Sequence, residues 1–446
     1  MGRFVFQFFI LMVFAAGQSA GTGHASEPGI GSVHPPELRQ LVGEGLASNQ
    51  GLKAMAHQVN ALGRKAVAAG ALDDPRMSLG VANLPSDSWD VGQEAMTQKQ
   101  ISVSQRFPWT GKLSLRVQSA TIDTLRQRAE LAAKQLFIYR NIADNYYELG
   151  FITESQVINR RMTGLMDQIL RVAESRYATG KGLQQDILRA QVEQGRLMDQ
   201  AIALKTKRRR IQDRILQTLN RKGFSEIVPP SLSHMPNIDI DTEGWEAAAL
   251  AHNPGIYARK LVIDQAGIDI ELARKAYWPD PDLRLAYGQR DDDPMGRKRS
   301  DFLSASVAFS IPLWARDKQD QRLAGAESRL EAAQAKLREL TDTLPHRVDA
   351  LATEIGDTRE SYRLFDDAVL VQARQWAASA LSAYGVGRVD FTAAMEAHLR
   401  LLRLERQRAR YLYSFHKTVA ALEELMGTAP WGPTPSSLDG PPQLNP

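Results

Sequence analysis

Two junctions constrain this chain more than any other feature. Gln105-Arg-Phe-Pro-Trp-Thr-Gly-Lys112 hands a short alternating segment to a helical pattern running from Gly111 to Tyr177, and Phe309-Ser-Ile-Pro-Leu-Trp-Ala-Arg316 does the same for a pattern reaching Leu381. At 1.5 Å per residue the first helix spans roughly 100 Å, more than any compact domain needs. Pro108 and Pro312 suit the first helical turn, where a fixed φ and a missing donor cost nothing. The matched pairs Asp74/Asp280, Pro108/Pro312 and Gly180/Gly387 differ by 206, 204 and 207. An offset this steady across unlike features marks a duplication.

Each half reads the same way. Apolar residues at helical spacing run from Pro36 to Ala71 and stop at Asp73-Asp-Pro75. A strand over 76–84 sets Met77, Leu79 and Val81 against Ser78, Gly80 and Ala82, and a second over 100–107 sets Ile101, Val103 and Phe107 against Gln100, Ser102 and Ser104. The long helix follows, with irregularities expected at Gly150 and Gly164, then the turn Tyr177 to Gly182 and a helix from Leu183 to Asn220. The second half repeats this with a helix from Trp245 to Tyr277, strands over 282–288 and 302–311, a long helix with a kink expected at Pro345, the turn Tyr384 to Arg388 and a helix to Met426. The expected organisation is a first repeat over 36–222, a linker over 223–241, a second repeat over 242–427 and a disordered tail over 428–446.

The N-terminus carries Arg3, an apolar run from Phe4 to Ala16 and small residues ending at Ala25, the pattern of a signal peptide over 1–25, with Ala20 a second cleavage candidate. An uncleaved anchor is the alternative, although the run is short for a bilayer span. The absence of cysteine excludes disulfides, thiol catalysis, cysteine metal sites and an acylated N-terminal cysteine. A net charge of +4 is small for 446 residues and gives no reason to expect nucleic acid. Lys205 and Lys207 to Arg210 read as a solvated helix face, the eight histidines form no spaced metal cluster, and Met162 and Met166 read as core. No phosphate loop or nucleophile elbow is present. The reading is therefore no enzyme and no cofactor.

A hairpin with one apolar face must pack that face on a core or on lipid. Lipid is favoured by strand length, by small polar residues on the opposite face, and by aromatics gathered at one end: Phe107, Trp109, Tyr277, Trp278 and Trp314. Four strands cannot close a conducting barrel, and open edges are not tolerated in lipid, so several chains must close it. Leu323, Leu330, Leu337 and Leu344 repeat every seven residues with Ala326, Ala333 and Leu340 between them, a seam for close helix packing. The fold class is mainly α with a membrane β-barrel portion, built from a duplicated helix-hairpin-helix-helix unit.

With these residues in view, the chain resembles the outer membrane efflux proteins of the TolC type over Pro36 to Met426. The resemblance rests on the duplicated order, the two junctions and the two turns. Asn83-Leu-Pro-Ser-Asp-Ser88 and Gln93-Glu-Ala-Met-Thr-Gln-Lys99 look most like the branch paired with heavy-metal pumps. The resemblance implies a homotrimer whose twelve strands form one barrel and whose twelve long helices form a periplasmic tunnel. It implies outer membrane lipid around the barrel, a periplasmic adaptor, and an inner-membrane pump of the resistance-nodulation-division class, with metal cations or small toxic compounds as cargo. The turns would be tips where the adaptor docks, marked by Gly180, Gly182, Gly385 and Gly387. Tyr384 and Arg388 match the family's gate region, with Asp186 and Glu396 as acidic partners; Ala393 replaces a usual acid, so the resemblance implies a thinner acidic ring. A type I secretion duct shares the whole architecture, and a periplasmic coiled-coil adaptor or scaffold shares the helices.

Overall fold

The computed structural model describes residues 33–293 and 295–428; the signal peptide and nearly all of the expected tail lie outside them. The order is α1 (Pro36–Ser48), α2 (Gln50–Ala68), β1 (Arg76–Ala82), β2 (Gln98–Arg106), α3 (Lys112–Ala178) and α4 (Gln184–Thr218), then α5 (Thr242–His252), α6 (Pro254–Lys275), β3 (Pro281–Gln289), β4 (Phe302–Phe309), α7 (Ala315–Leu364), a π turn (Phe365–Val369), α8 (Leu370–Gly385) and α9 (Phe391–Met426). The helix-hairpin-helix-helix order therefore occurs twice, and the four strands join one antiparallel sheet in the order β1-β2-β3-β4. Among the described residues, no helix is long and apolar enough to cross a membrane.

Several expectations need correction. The opening helix of each half is broken, at Asn49 and Asn253, where extended backbone (ψ 116° and 118°) lets the asparagine side chain cap the next helix. Asn49 Oδ1 accepts from the Leu52 N–H and Asn253 Oδ1 from the Gly255 N–H, satisfying donors that a helix start leaves orphaned. Helix α3 runs unbroken through Gly150 and Gly164. Gly150 serves packing instead, since a Cβ there would sit 2.3 Å from the Tyr413 ring. Helix α7 also runs through Pro345, and the departure from α geometry falls at the π turn, where Phe365 meets Tyr411 edge-on and Asp366 pairs with Arg408. Pro108 and Pro312 precede their helices rather than opening them. In the first junction the Phe107 N–H donates the last sheet bond to Pro281 O, and Gly111 (φ +86°) makes the turn into α3.

Packing follows sevenfold repeats. On α4, Ala190, Leu197, Leu204 and Ile211 are buried one heptad apart, facing Ile158, Met162, Met166, Ile169 and Ala173 of the antiparallel α3. On α7, Ala326, Ala333 and Leu344 are buried against α6 and its neighbours, with Leu323 and Leu330 half-buried. Such seams hold long thin hairpins without a globular core. A second cluster of Trp245, Leu344, Val348, Ile355, Phe415 and Val419 packs α5 against α7 and α9 within the second repeat. The connection between α4 and α5 has no regular structure but is tied down: Tyr413 Oη donates to Pro230 O, and Arg359 Nη1 donates to Ile238 O at 2.6 Å.

Candidate functional site

The sheet has two chemically different faces. Its pairing aligns Met77 with Val103, Leu285 and Ala305, and Leu79 with Ile101, Tyr287 and Leu303. Among the described residues these apolar side chains stand exposed: Leu79 is 73% exposed and Leu303 82%. The opposite face aligns Ser78 with Ser102, Ala286 and Ser304, and Ser78 and Ser102 share a hydrogen bond of 2.7 Å. Among the described residues β1 pairs only with β2 and β4 only with β3, so each outer edge presents unpaired N–H and C=O groups, which native sheets seldom leave open.

Below the sheet, the expected aromatic residues do gather. Trp109 and Trp278 stack with ring centroids 5.0 Å apart, while Trp278 and Trp314 remain largely exposed. Asp280 locks this junction by accepting from the Trp109 N–H at 2.8 Å and from Lys112 Nζ at 2.6 Å. Partial burial would raise its carboxyl, but these two donors hold it below the ordinary value.

At the far end, the two tips are built alike. The Lys181 N–H reaches Arg176 O and the Arg388 N–H reaches Ala383 O, each at 2.8 Å, closing α3 and α8 with the same six-residue motif around left-handed Gly180 (φ +72°) and Gly387 (φ +77°). Gly182 is needed for close approach, because a Cβ would meet the Tyr177 N at 2.9 Å; Gly385 is helical, and nothing lies near where its Cβ would be. Tyr384 is buried, its ring edge-on to Phe391 and 4.8 Å beneath the Arg176 guanidinium. Arg176 Nη1 donates to Tyr384 O and Nη2 to Lys181 O, bridging the two tips. Burial raises the Tyr384 phenol above its usual value, with nearby Asp186 adding to the rise and Arg176 opposing it.

The family described as "Outer membrane efflux protein" matches residues 41–221 and 245–428. The chain belongs to this family. It is 23% identical over 399 residues to the pyoverdine export outer membrane protein OpmQ of Pseudomonas aeruginosa, covering 83% of this chain and 79% of that one. Among solved structures it resembles the outer-membrane channel OprN (TM-score 0.76, 17% identity, covering 89% and 91% of the two chains). It is also similar to the Campylobacter jejuni CmeC outer membrane channel (TM-score 0.74, 15% identity, covering 96% of each). These similarities show the fold, and they accord with the TolC-type resemblance read from the sequence.

For an efflux protein of this family, the expected gate residues divide. Tyr384 and Asp186 are buried in one cluster between the tips. Arg388 and Glu396 are exposed, and among the described residues neither makes a side-chain bond within the chain. The arginine on Tyr384 is Arg176, from the other repeat, which the sequence reading passed over. Its position corresponds to Ala383 at the offset of 207, so the repeat comparison itself hid it. No cluster of described residues could hold a metal ion.

Proposed function

We propose that this protein is the outer membrane exit duct of a tripartite efflux system. Three copies close end to end, β4 of one beside β1 of the next, giving a twelve-stranded barrel in lipid and a tunnel of long helices beneath it. The observation that carries this reading is the sheet: an exposed apolar face, a small polar face and two open edges, joined to a helix of 67 residues that reaches roughly 100 Å. An open sheet cannot stand in lipid, and heterologous contacts that close a ring remove both edges. OpmQ is an export outer membrane protein by its own description, which supports the same role here.

The duct conducts passively. A periplasmic adaptor docks at the tips around Gly180, Gly182, Gly385 and Gly387, and an inner-membrane pump supplies the work. In the resting duct the tips are braced shut by Arg176 on Tyr384, with Asp186 alongside and with Arg388 and Glu396 free to meet a neighbouring copy. Adaptor binding opens them through contacts it makes only with the open arrangement.

The test is detergent extraction from outer-membrane fractions followed by mass determination by light scattering. A detergent-requiring particle of three chains is expected. A monomer that leaves the membrane in alkaline wash and stays soluble without detergent overturns the duct and leaves a periplasmic scaffold.

A further inference from the structure

The polar face of the sheet is not neutral. The pairing places Arg76 in one row with Ser104, Arg284 and Ser306, and the next row pairs Arg106 with Asp282. Alternate residues share a face, so all three arginines stand with Ser78, Ser102 and Ser304. Asp282 is the one acidic residue that the four strands place on that face. Arg76, Arg106 and Arg284 are exposed, and among the described residues none of them forms an ion pair. Arg284 Nε donates to Ser102 Oγ at 3.2 Å, which holds its guanidinium over the polar face. In sequence, the carboxylates next to this end of the strands are Asp73 and Asp74 before β1 and Asp280 before β3, and Asp280 is already held by Lys112. With neighbouring strands about 4.8 Å apart, Arg76 and Arg284 stand roughly 10 Å from one another, about one screening length at physiological salt.

We propose that these arginines form a cationic girdle inside the barrel that favours small multivalent anions, bearing carboxylate or phosphate groups, as the cargo of this duct. The proposal rests on the duct reading above, which turns the polar face inward. Once three copies close, β1 and β3 of each bring an arginine to every second strand, with Arg106 between them. The guanidinium fork matches carboxylate and phosphate in a way that a point charge does not. Apart from Asp282, the rest of that face is serine, glycine, alanine, Gln98, Gln100 and Phe302, which carry no charge to compete, and the walls of the lumen concentrate the field. Bare divalent metal cations are repelled at the same place, against the cargo suggested by the resemblance to heavy-metal ducts.

The experiment uses the purified full-length protein in planar bilayers, with citrate added on the barrel side so that it meets the girdle before the tips. Citrate is expected to reduce conductance at concentrations where spermine does not, and the Arg76→Gln/Arg284→Gln variant is expected to need at least tenfold more citrate. Block by spermine as strong as block by citrate overturns the proposal, as does an unchanged citrate block in the double variant. If the double variant does not insert, Arg76→Gln alone, whose side chain makes no bond within the described chain, should weaken citrate block at least threefold. A wild-type protein that forms no channel and runs as a monomer overturns the duct itself, an outcome distinct from a trimeric channel indifferent to charge.

Discussion

Arg176 illustrates how one side chain can couple two repeats. Its guanidinium sits at the C-termini of α3 and α8 together, where a cation is favoured by both helix dipoles, and it donates to carbonyls of both tips. Hydrogen bonds to charged groups contribute about 1.5–3 kcal/mol each, nearer the lower end in this half-exposed setting. Arg176→Ala should loosen the tip and raise the conductance of the resting channel severalfold in planar bilayers; unchanged conductance removes Arg176 from the gate. The Tyr384 hydroxyl makes a sharp contrast, being buried with no hydrogen-bond partner among the described residues. Tyr384→Phe should therefore change stability by less than about 1 kcal/mol, because no bond is lost. The family resemblance picked out Tyr384 together with Arg388. The arginine that covers it was not picked out, because position in a repeat says nothing about which helix ends lie side by side.

The elements were mostly readable where a pattern repeats over many residues. The long helices and the alternating strands were found, with ends that move by up to four residues: β2 is Gln98–Arg106, β4 ends at Phe309 and α8 ends at Gly385 rather than Leu381. The breaks at Asn49 and Asn253 were missed. Asn253 is followed by proline, which disfavours helix at the preceding residue, so that signal was present. Asn49 carries no such mark, and its cap forms only because the chain must turn there. The π turn had no signal at all, since its extra residue is accommodated by Phe365 on Tyr411 and Asp366 on Arg408. The tip glycines separate cleanly at this scale. Gly387→Ala places a Cβ in left-handed backbone at a cost of about 1–2 kcal/mol and crowds Arg176, so faster hydrogen exchange at the Arg388 amide is expected. Gly385→Ala, helical and unobstructed, should be neutral or stabilising by up to about 1 kcal/mol. Should Gly385→Ala prove as destabilising as Gly387→Ala, the left-handed backbone is not what the tip depends on.

At the scale of the whole molecule, a buried polar cluster ties the start of the described chain to α3 and α9. His34 meets Tyr147 Oη at 2.6 Å and Glu423 at 2.9 Å, Tyr139 donates to the same carboxylate, and Tyr147 stacks on His416 with centroids 4.9 Å apart. Burial, with a smaller contribution from His34, lowers His416 to about 3. Its ordinary value is about 6.5, so above that pH it is neutral in both states and contributes no pH dependence. As pH falls below about 6.5 the unfolded chain takes up a proton that the folded chain refuses, and stability declines by about 1.4 kcal/mol per unit until the folded value is reached. The apparent melting midpoint in detergent should therefore drop between pH 7 and pH 4, and His416→Phe, which keeps the ring stack, should flatten the drop; equal slopes would exclude His416 as its source. By itself the sequence determined the duplicated order, the two faces of each hairpin and the reach of the helices, because those follow from periodicity along the chain. Only the tertiary structure decided that the two hairpins join one sheet with β2 beside β3, that Arg176 rather than Arg388 covers Tyr384, and that Arg76 and Arg284 share a row. Each of these depends on which distant segments become neighbours, and packing settles that where local pattern is silent.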